Sequence, residues 1–288
     1  MVFMRNDSEA KVIQTIRYFL FFNYPPNFEE IHTFLKKKVT KKGLASILEK
    51  MKKKNLVKSY KKQDRYTLGE YGNKIEKRGW RIGNWTVREG HSQSKIQKIR
   101  FFLRILSWFP QIQLVGLSGT VAMMNAKEKD DIDLFIVSSK KRLWTARMIS
   151  LFITQLLGLR RRAGEINARD KVCLNLFMDK SNLLVPKHKQ TTYVAHEVLQ
   201  MKPLINKNFT YEKFLDTNKW VYAIFPNAKK YKPQKMYRNR QNLLGNLLEF
   251  CLKKLELTII KQHQTSEIVN DTQLWFFPED FEKNIKPD

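Results

Sequence analysis

The sequence predicts a mixed α+β fold with a helical N-terminal unit, a central α/β domain and a mostly helical C-terminal region. Apolar residues recur at helical spacing three times before residue 56, and two short alternating stretches follow. Strand-like and helix-like segments then alternate from about residue 94 to residue 178, as in α/β domains. We therefore divide the chain into residues 1–75, a basic connector 76–93, residues 94–190 and residues 191–288.

The first 75 residues have the element order of a winged helix-turn-helix: three helices and then a β-hairpin. A first helix over 9–24 ends at Pro25-Pro26, because proline cannot continue a helix. Asn27 and Glu30 form a capping-box pattern that begins a second helix. A third helix buries Leu44, Ile47, Leu48 and Met51 and ends near Asn55, and strands 56–60 and 65–68 flank a polar turn.

The charge balance points to an anionic partner. Lys and Arg number 54 against 27 Asp and Glu, which gives a net charge of +27. Residues 36–65 hold thirteen of those cations and only Glu49 and Asp64 as acids, so nucleic acid is the expected partner of the N-terminal domain. A lysine-rich solvated surface or a protein-docking unit is the alternative. The third helix offers few groups that read base edges, which favours binding without sequence preference.

The cysteines and the apolar segments indicate a compartment. Cys173 and Cys251 lie far apart within apolar stretches, as free thiols do in a reducing environment. No stretch has the roughly 20 apolar residues that a membrane helix requires. We expect a cytoplasmic protein that has no membrane partner.

The central domain is expected to contain a small mixed sheet. A helix over 94–108 ends before Pro110, strands follow at 111–117, 131–137 and 171–178, and a helix spans 141–157. Helices are expected at 191–201, 211–225 and 241–261, with a basic segment at 229–240. The aromatic residues of the second of these helices, Trp220, Tyr222 and Phe225, are expected in the core, and the five histidines show no metal-ligand spacing.

Asp131 and Asp133 carry the clearest chemical signal. They stand at i and i+2 of an apolar strand, so both side chains project from the same face. Two carboxylates placed together repel each other unless a cation lies between them. Mg²⁺ prefers carboxylate oxygens and completes its shell with water and substrate phosphates. The preceding Gly119-Thr120 turn offers backbone N–H groups and a hydroxyl to the phosphates of a nucleotide.

This pattern resembles the signature of the DNA polymerase beta-type nucleotidyltransferase superfamily: a Gly-Ser turn, about ten residues, then Asp-hydrophobic-Asp. Here Gly119-Thr120, ten intervening residues and Asp131-Ile132-Asp133 match it, with Thr for Ser. The resemblance implies transfer of a nucleoside monophosphate from a nucleoside triphosphate to an acceptor hydroxyl. Asp131 and Asp133 would be catalytic and hold Mg²⁺, and Ser118, Gly119 and Thr120 would bind the nucleotide. Ser118 has a turn-forming role as its alternative. Arg147 is a candidate triphosphate ligand, or else a structural ion pair.

A wider resemblance covers most of the chain. It is similar to uncharacterised bacterial proteins that join an N-terminal winged helix to a nucleotidyltransferase domain and a helical tail. The segments that carry it are Thr15-Ile16-Arg17-Tyr18, Tyr24-Pro25-Pro26, Ser118 to Ala122, Trp144-Thr145-Ala146-Arg147 and Cys173-Leu174-Asn175. This resemblance implies a domain order and no substrate.

The third strand departs from the superfamily pattern. Where a third metal-binding carboxylate is usual, the sequence places Cys173 and Asn175, with Asp170 and Asp179 flanking the strand as possible substitutes. Some branches of the superfamily work with two carboxylates. Two functions therefore stay open: an enzyme acting on RNA, protein or a small molecule, and a nucleic-acid-binding regulator whose transferase domain is degenerate. A transferase that modifies a partner protein, as antitoxin-like members do, is a third.

Overall fold

The computed structural model describes residues 7–60, 64–69, 84–161, 165, 168–231, 243–261 and 268–276. Several expected features fall partly outside them: most of the turn at 61–64, connector residues 76–83, basic residues 232–240, and residues 241–242 at the start of the last helix. The described chain is a mixed α/β structure with a six-stranded mixed sheet. No helix in these ranges is long and apolar enough to cross a membrane.

The N-terminal unit has the predicted order of three helices and a hairpin. The helices are α1 (Asp7–Phe21), α2 (Phe28–Phe34) and α3 (Lys41–Lys53), and the antiparallel strands are β1 (Val57–Tyr60) and β2 (Arg65–Leu68). The capping box is present, because the Glu30 backbone N donates to Asn27 Oδ1 at 2.8 Å and the Asn27 backbone N donates to Glu30 Oε2 at 2.7 Å. Asn55, with φ of 56°, follows α3 in the left-handed conformation that ends many helices.

The central sheet contains the three predicted strands. They are β3 (Ile112–Leu117), β4 (Ile132–Ser138) and β5 (Val172–Asp179). β3 and β4 are antiparallel, whereas β4 and β5 are parallel and are joined through α7 (Leu143–Leu156). The predicted helix over 94–108 begins earlier and is divided into α4 (Asn84–Lys98) and α5 (Arg100–Trp108). The end of the expected connector, from residue 84, is therefore helical.

The C-terminal region contributes strands as well as helices, which the sequence did not predict. β6 (Lys202–Asn206) pairs with β3 at one edge, while β7 (Ile268–Val269) and β8 (Gln273–Trp275) extend the sheet beyond β5. Pro203 is tolerated in β6 because an edge strand has one row of unpaired N–H groups. These strands are short, so their alternation is too brief to be detected from sequence.

Helices α8 (Thr192–Gln200) and α11 (Leu243–Lys261) match two predicted helices, and a short α6 (Gly119–Ala122) follows β3. The helix expected over 211–225 is two helices, α9 (Thr210–Thr217) and α10 (Val221–Ile224). They separate at Asn218, whose Nδ2 donates to the Leu183 carbonyl at 2.8 Å and whose Oδ1 accepts from the Val185 N–H at 2.9 Å. These hydrogen bonds to a neighbouring loop replace the continuation of the helix.

The two faces of the sheet pack against different partners. Leu134 and Ile136 of β4 face a cluster that includes residues of α5, α7 and α11. Phe135 and Val137 face α8, α9 and α10 on the opposite side. Residues of α1 and α2 belong to this second cluster, so the N-terminal unit shares a core with the sheet.

His196 of α8 is the centre of that shared core. Its ring is stacked 3.7 Å from the Tyr18 ring and 4.4 Å from the Phe34 ring, measured between centroids. Burial lowers its pKa well below the usual value, so the imidazole is neutral at physiological pH. The side chain is a packing element between the N-terminal unit and the central domain.

Candidate active site at the start of strand β4

The Gly119 turn directly follows β3 and lies against Asp133. The Ser118 backbone N donates to the Asp133 carbonyl at 3.0 Å, and Gly119 has φ of +63°. A Cβ atom at position 119 would lie 2.6 Å from Asp133 Oδ2. Both the left-handed conformation and the close approach require glycine. The Gly-Thr pair of the sequence motif therefore packs directly against Asp133, the second carboxylate of the motif.

Thr120 and Ser118 are already hydrogen-bonded around this turn. Thr120 Oγ1 donates to Asp130 Oδ2 at 3.1 Å, and the same oxygen accepts from the Lys127 backbone N at 2.9 Å. Ser118 Oγ donates to the Asp133 carbonyl at 3.4 Å. Both hydroxyl residues and Gly119 line the same cavity as the two aspartates.

Asp131, Asp133 and Cys173 form a group that could hold a metal ion, because one ligand atom from each lies within 4.8 Å of the others. Asp133 pairs in register with Cys173 of β5. The pKa of Asp133 is raised to about 8, first by burial and then by the charges of Asp131 and Glu197. The pKa of the Cys173 thiol is raised to about 12 by burial and by both carboxylates. A cation would favour the ionised form of each carboxyl.

Asn175 completes the β5 side of the group. Its Nδ2 donates to Asp133 Oδ1 at 2.6 Å, and its Oδ1 accepts from the Cys173 thiol at 2.7 Å. The structure therefore places Cys173 and Asn175 beside the carboxylates, at the position where the motif resemblance predicted a third acid. Neither side chain is an acid, and both are engaged with each other.

Two residues of the site were missed by sequence reasoning. Arg161 donates to Asp131 Oδ2, and its guanidinium lies 3.8 Å from the Cys173 sulfur. Glu197 of α8 accepts from the Gly119 backbone N at 3.4 Å, and burial raises the pKa of its carboxyl to about 7. No short motif marks either one. The sequence feature that could have identified Glu197 is the position of an acid within an otherwise largely apolar helix, next to His196.

These groups open into one cavity of about 560 Å³. The carboxylates, the Gly119 turn, Arg161 and Glu197 line one part of it. The rest of the wall is mainly apolar and aromatic and comes from α1, the sheet, α8 and α9. A volume of this size suits a small organic molecule or a nucleotide.

Arg147 does not belong to the site, which corrects its assignment as a nucleotide ligand. It lies on α7, on the opposite face of the sheet, where it forms an ion pair with buried Glu256 and packs over the Phe276 ring. The alternative role, a structural ion pair, is the one observed.

The flanking acids do not replace the missing carboxylate either. Asp170 forms ion pairs with Lys95 and Lys98, and Asp179 accepts from the Lys141 backbone N at 2.6 Å. Neither lines the cavity. Phe225 is fully buried, and Trp220 and Tyr222 pack against the same core cluster, which confirms their expected place in the core. The one metal-capable group among the described residues contains no histidine.

Comparison of the chain with protein-family models, with curated proteins and with solved structures found no match.

Proposed function

We propose that this protein is a Mg²⁺-dependent nucleotidyltransferase of the DNA polymerase beta type. The observation that carries the proposal is the convergence of Asp131 and Asp133 with the Gly119 turn, at a spacing that leaves no room for a Cβ. Two adjacent carboxylates, one of them strongly disfavoured in its charged form, match the oxygen ligands that Mg²⁺ prefers. The winged helix-turn-helix identity of the N-terminal unit is part of the same proposal.

Asp131 and Asp133 would hold the ion. Bound Mg²⁺ would neutralise negative charge on the phosphates of the nucleotide. Gly119 would present its backbone N–H to a phosphate oxygen. In support, that N–H already donates to a carboxyl oxygen, that of Glu197. Arg161 takes the phosphate-binding role first assigned to Arg147, because its guanidinium lies within the cavity and pairs with an oxygen that Mg²⁺ would recruit.

Glu197 is proposed as the base that replaces the absent third acid of β5. It lines the cavity, and a pKa of about 7 suits a group that accepts a proton near neutral pH. In the reaction the acceptor hydroxyl oxygen attacks the α-phosphorus. Its proton passes to Glu197, and the bond to the departing pyrophosphate breaks.

Calorimetric titration with each of the four Mg²⁺–nucleoside triphosphates tests the site. Asp131→Asn and Asp133→Asn should each lose Mg²⁺-dependent binding, whereas exposed Asp271→Asn, a matched change outside the site, should retain it. Glu197→Gln should bind nucleotide and lose transfer of label to an acceptor. Undiminished nucleotide affinity in both aspartate variants would refute the proposed site.

A regulator with a degenerate transferase domain is the second candidate. The observation that favours it is the Cys173–Asn175 pair at the third-acid position, together with exposed Lys41, Lys42 and Lys50 on α3. Such a protein would bind nucleotide without turnover and bind nucleic acid with an affinity that falls steeply with salt. Electrophoretic mobility shifts of the full chain with DNA and with RNA, between roughly 50 and 200 mM salt, measure this.

A further inference from the structure

The cavity beside the carboxylates has two chemically different parts. The polar part contains Asp131, Asp133 and Glu197. Fourteen of the lining residues are instead apolar or aromatic, and they include Tyr18, Phe135 and Trp275. Contact between a large apolar surface and water is unfavourable, and a ligand with an apolar group would remove that surface from water. Such a compartment is therefore typical of a binding site for an apolar group.

The apolar part is assembled from separate regions of the chain. Phe135 belongs to β4, Val198 to α8 and Phe214 to α9, and all three are buried core residues of one cluster. Tyr18 of α1 adds an aromatic wall from the N-terminal unit, fixed by its stacking on His196. Because the wall belongs to this shared core, it is a preformed compartment.

The cations that line the cavity are too few to balance the phosphates of a nucleic-acid strand in addition to those of the proposed nucleotide. A strand that entered it would bring one phosphate per nucleotide and would need cations to balance them. Of the residues that line the cavity, Arg161 and Lys189 are cationic, and Arg161 is paired with Asp131. The carboxylates in the polar part would add repulsion.

We propose that the acceptor is a small alcohol with an apolar or aromatic body, which occupies this apolar compartment and presents its hydroxyl to the carboxylates. The inference rests on the proposed function and selects among acceptor classes. The hydroxyl oxygen of the alcohol forms the new bond to the α-phosphorus of a nucleoside triphosphate, pyrophosphate leaves with the electron pair of the broken bond, and Glu197 takes the hydroxyl proton. The product is a nucleoside monophosphate ester of the alcohol.

The first test is direct binding, which needs no catalysis. Calorimetry of the full chain with 4-phenyl-1-butanol should show saturable binding that a competing excess of glycerol does not reduce. Val198→Phe, which adds a ring inside the compartment, should weaken binding at least tenfold, whereas Val87→Phe, a matched change at an exposed position of α4, should leave it unchanged.

Val198→Ala provides a second variant, because removal of two methyl groups enlarges the compartment without introducing a steric clash. It should bind 1-naphthol, whose fused rings are wider and rigid, more tightly relative to 4-phenyl-1-butanol than the wild type does. Alcohol affinities that do not respond to either change at residue 198 would overturn the inference.

The second test is transfer. With labelled nucleoside triphosphates and Mg²⁺, 4-phenyl-1-butanol and 1-naphthol should be labelled, and glycerol, ribose and an RNA with a free 3′-hydroxyl should not. Labelling of RNA in preference to the apolar alcohols would overturn the inference while supporting the proposed function. Absence of Mg²⁺–nucleotide binding would refute the proposed function, and the calorimetric result would still decide whether the apolar compartment binds its ligand class.

Discussion

Two arginine–carboxylate pairs on opposite faces of the same sheet differ in what they are built to do. Arg147 and Glu256 are enclosed between α7 and α11, with side chains 16% and 2% exposed. Arg161 and Asp131 open into the cavity, with side chains 38% and 17% exposed. The first pair is sealed by packing, so neither partner can be replaced by a ligand. The second pair is accessible from the cavity, and its carboxylate belongs to the group that could hold a metal ion.

The largest difference between the two pairs should appear in stability. Arg147→Met leaves the Glu256 carboxylate buried without its partner and should lower the free energy of unfolding by about 3–5 kcal/mol. Chemical denaturation measures the loss. Adding Glu256→Gln to the variant should restore part of it, because a neutral amide is less costly to bury than a charge. A single variant as stable as the wild type would show that this pair is not a buried structural one.

The pH dependence of the metal-free protein should identify Asp133 on the cavity face. Its folded pKa of about 8 lies above the usual aspartate value, because of burial and of the charges of Asp131 and Glu197. The folded state therefore holds a proton that the unfolded chain has lost. The contribution of Asp133 to stability is fully present below about pH 4 and is lost as the pH rises toward 8.

Asp133→Asn should remove this dependence. The difference in unfolding free energy between variant and wild type should grow by about 1–3 kcal/mol between pH 5 and pH 8. Thermal melts across this range measure it, and saturating Mg²⁺ should reduce the difference by favouring the ionised carboxylate. Parallel pH profiles for the two proteins would contradict the raised pKa.

Gly119→Ala sharpens the comparison at the turn itself. The new Cβ would lie 2.6 Å from Asp133 Oδ2 at a backbone φ of +63°, so we expect a destabilisation of about 1–2 kcal/mol and loss of nucleotide binding. Gly158→Ala is the matched control, since its φ is +65° and nothing lies within 4 Å of the added atom. Equal nucleotide binding in the two variants would show that the contact with Asp133 is not needed.

The smallest stability effect is expected for Arg161→Met. A half-exposed ion pair contributes about 0–1 kcal/mol, so the melting temperature should barely change. Nucleotide affinity should fall by about tenfold if the guanidinium binds phosphate, which corresponds to about 1.4 kcal/mol. Calorimetry with Mg²⁺–nucleotide measures this, and Arg160→Met serves as a neighbouring control. A large loss of stability with unchanged nucleotide affinity would show that Arg161, like Arg147, forms a structural ion pair and does not bind phosphate.

The sequence predicted those parts of the fold and site that depend on local residue patterns. The three N-terminal helices, their capping box and strands β3 to β5 have long enough periodicity or specific cap residues. The spacing of Gly119-Thr120 and Asp131-Ile132-Asp133 predicted residues that line one cavity, because the paired strands β3 and β4 bring them together. The placement of Cys173 and Asn175 followed from the expected strand alone.

The features that sequence did not predict depend on long-range packing. Glu197 reaches Gly119 from 78 residues away, and Arg161 reaches Asp131 from a loop of no recognisable pattern. Arg147 was assigned to the site because a helix after the second strand was expected near the nucleotide, but α7 packs on the other face of the sheet. The short strands β6, β7 and β8 are defined by their partners in the sheet rather than by their own residues.

The stacking of Tyr18 on His196 has a thermodynamic consequence. Helix α1 packs against α3 through one face and lines the cavity through Tyr18, and Phe22, which follows the helix, lines the cavity as well. A ligand that shifts α1 when it binds α3 changes the cavity wall, and by linkage an occupant of the cavity changes the affinity of α3 for that ligand by the same factor. The shared aromatic core would carry this coupling. Because the two units share this aromatic core, the affinity of α3 for a ligand should be measured with the cavity empty and with it occupied, and a difference between the two values would demonstrate the coupling.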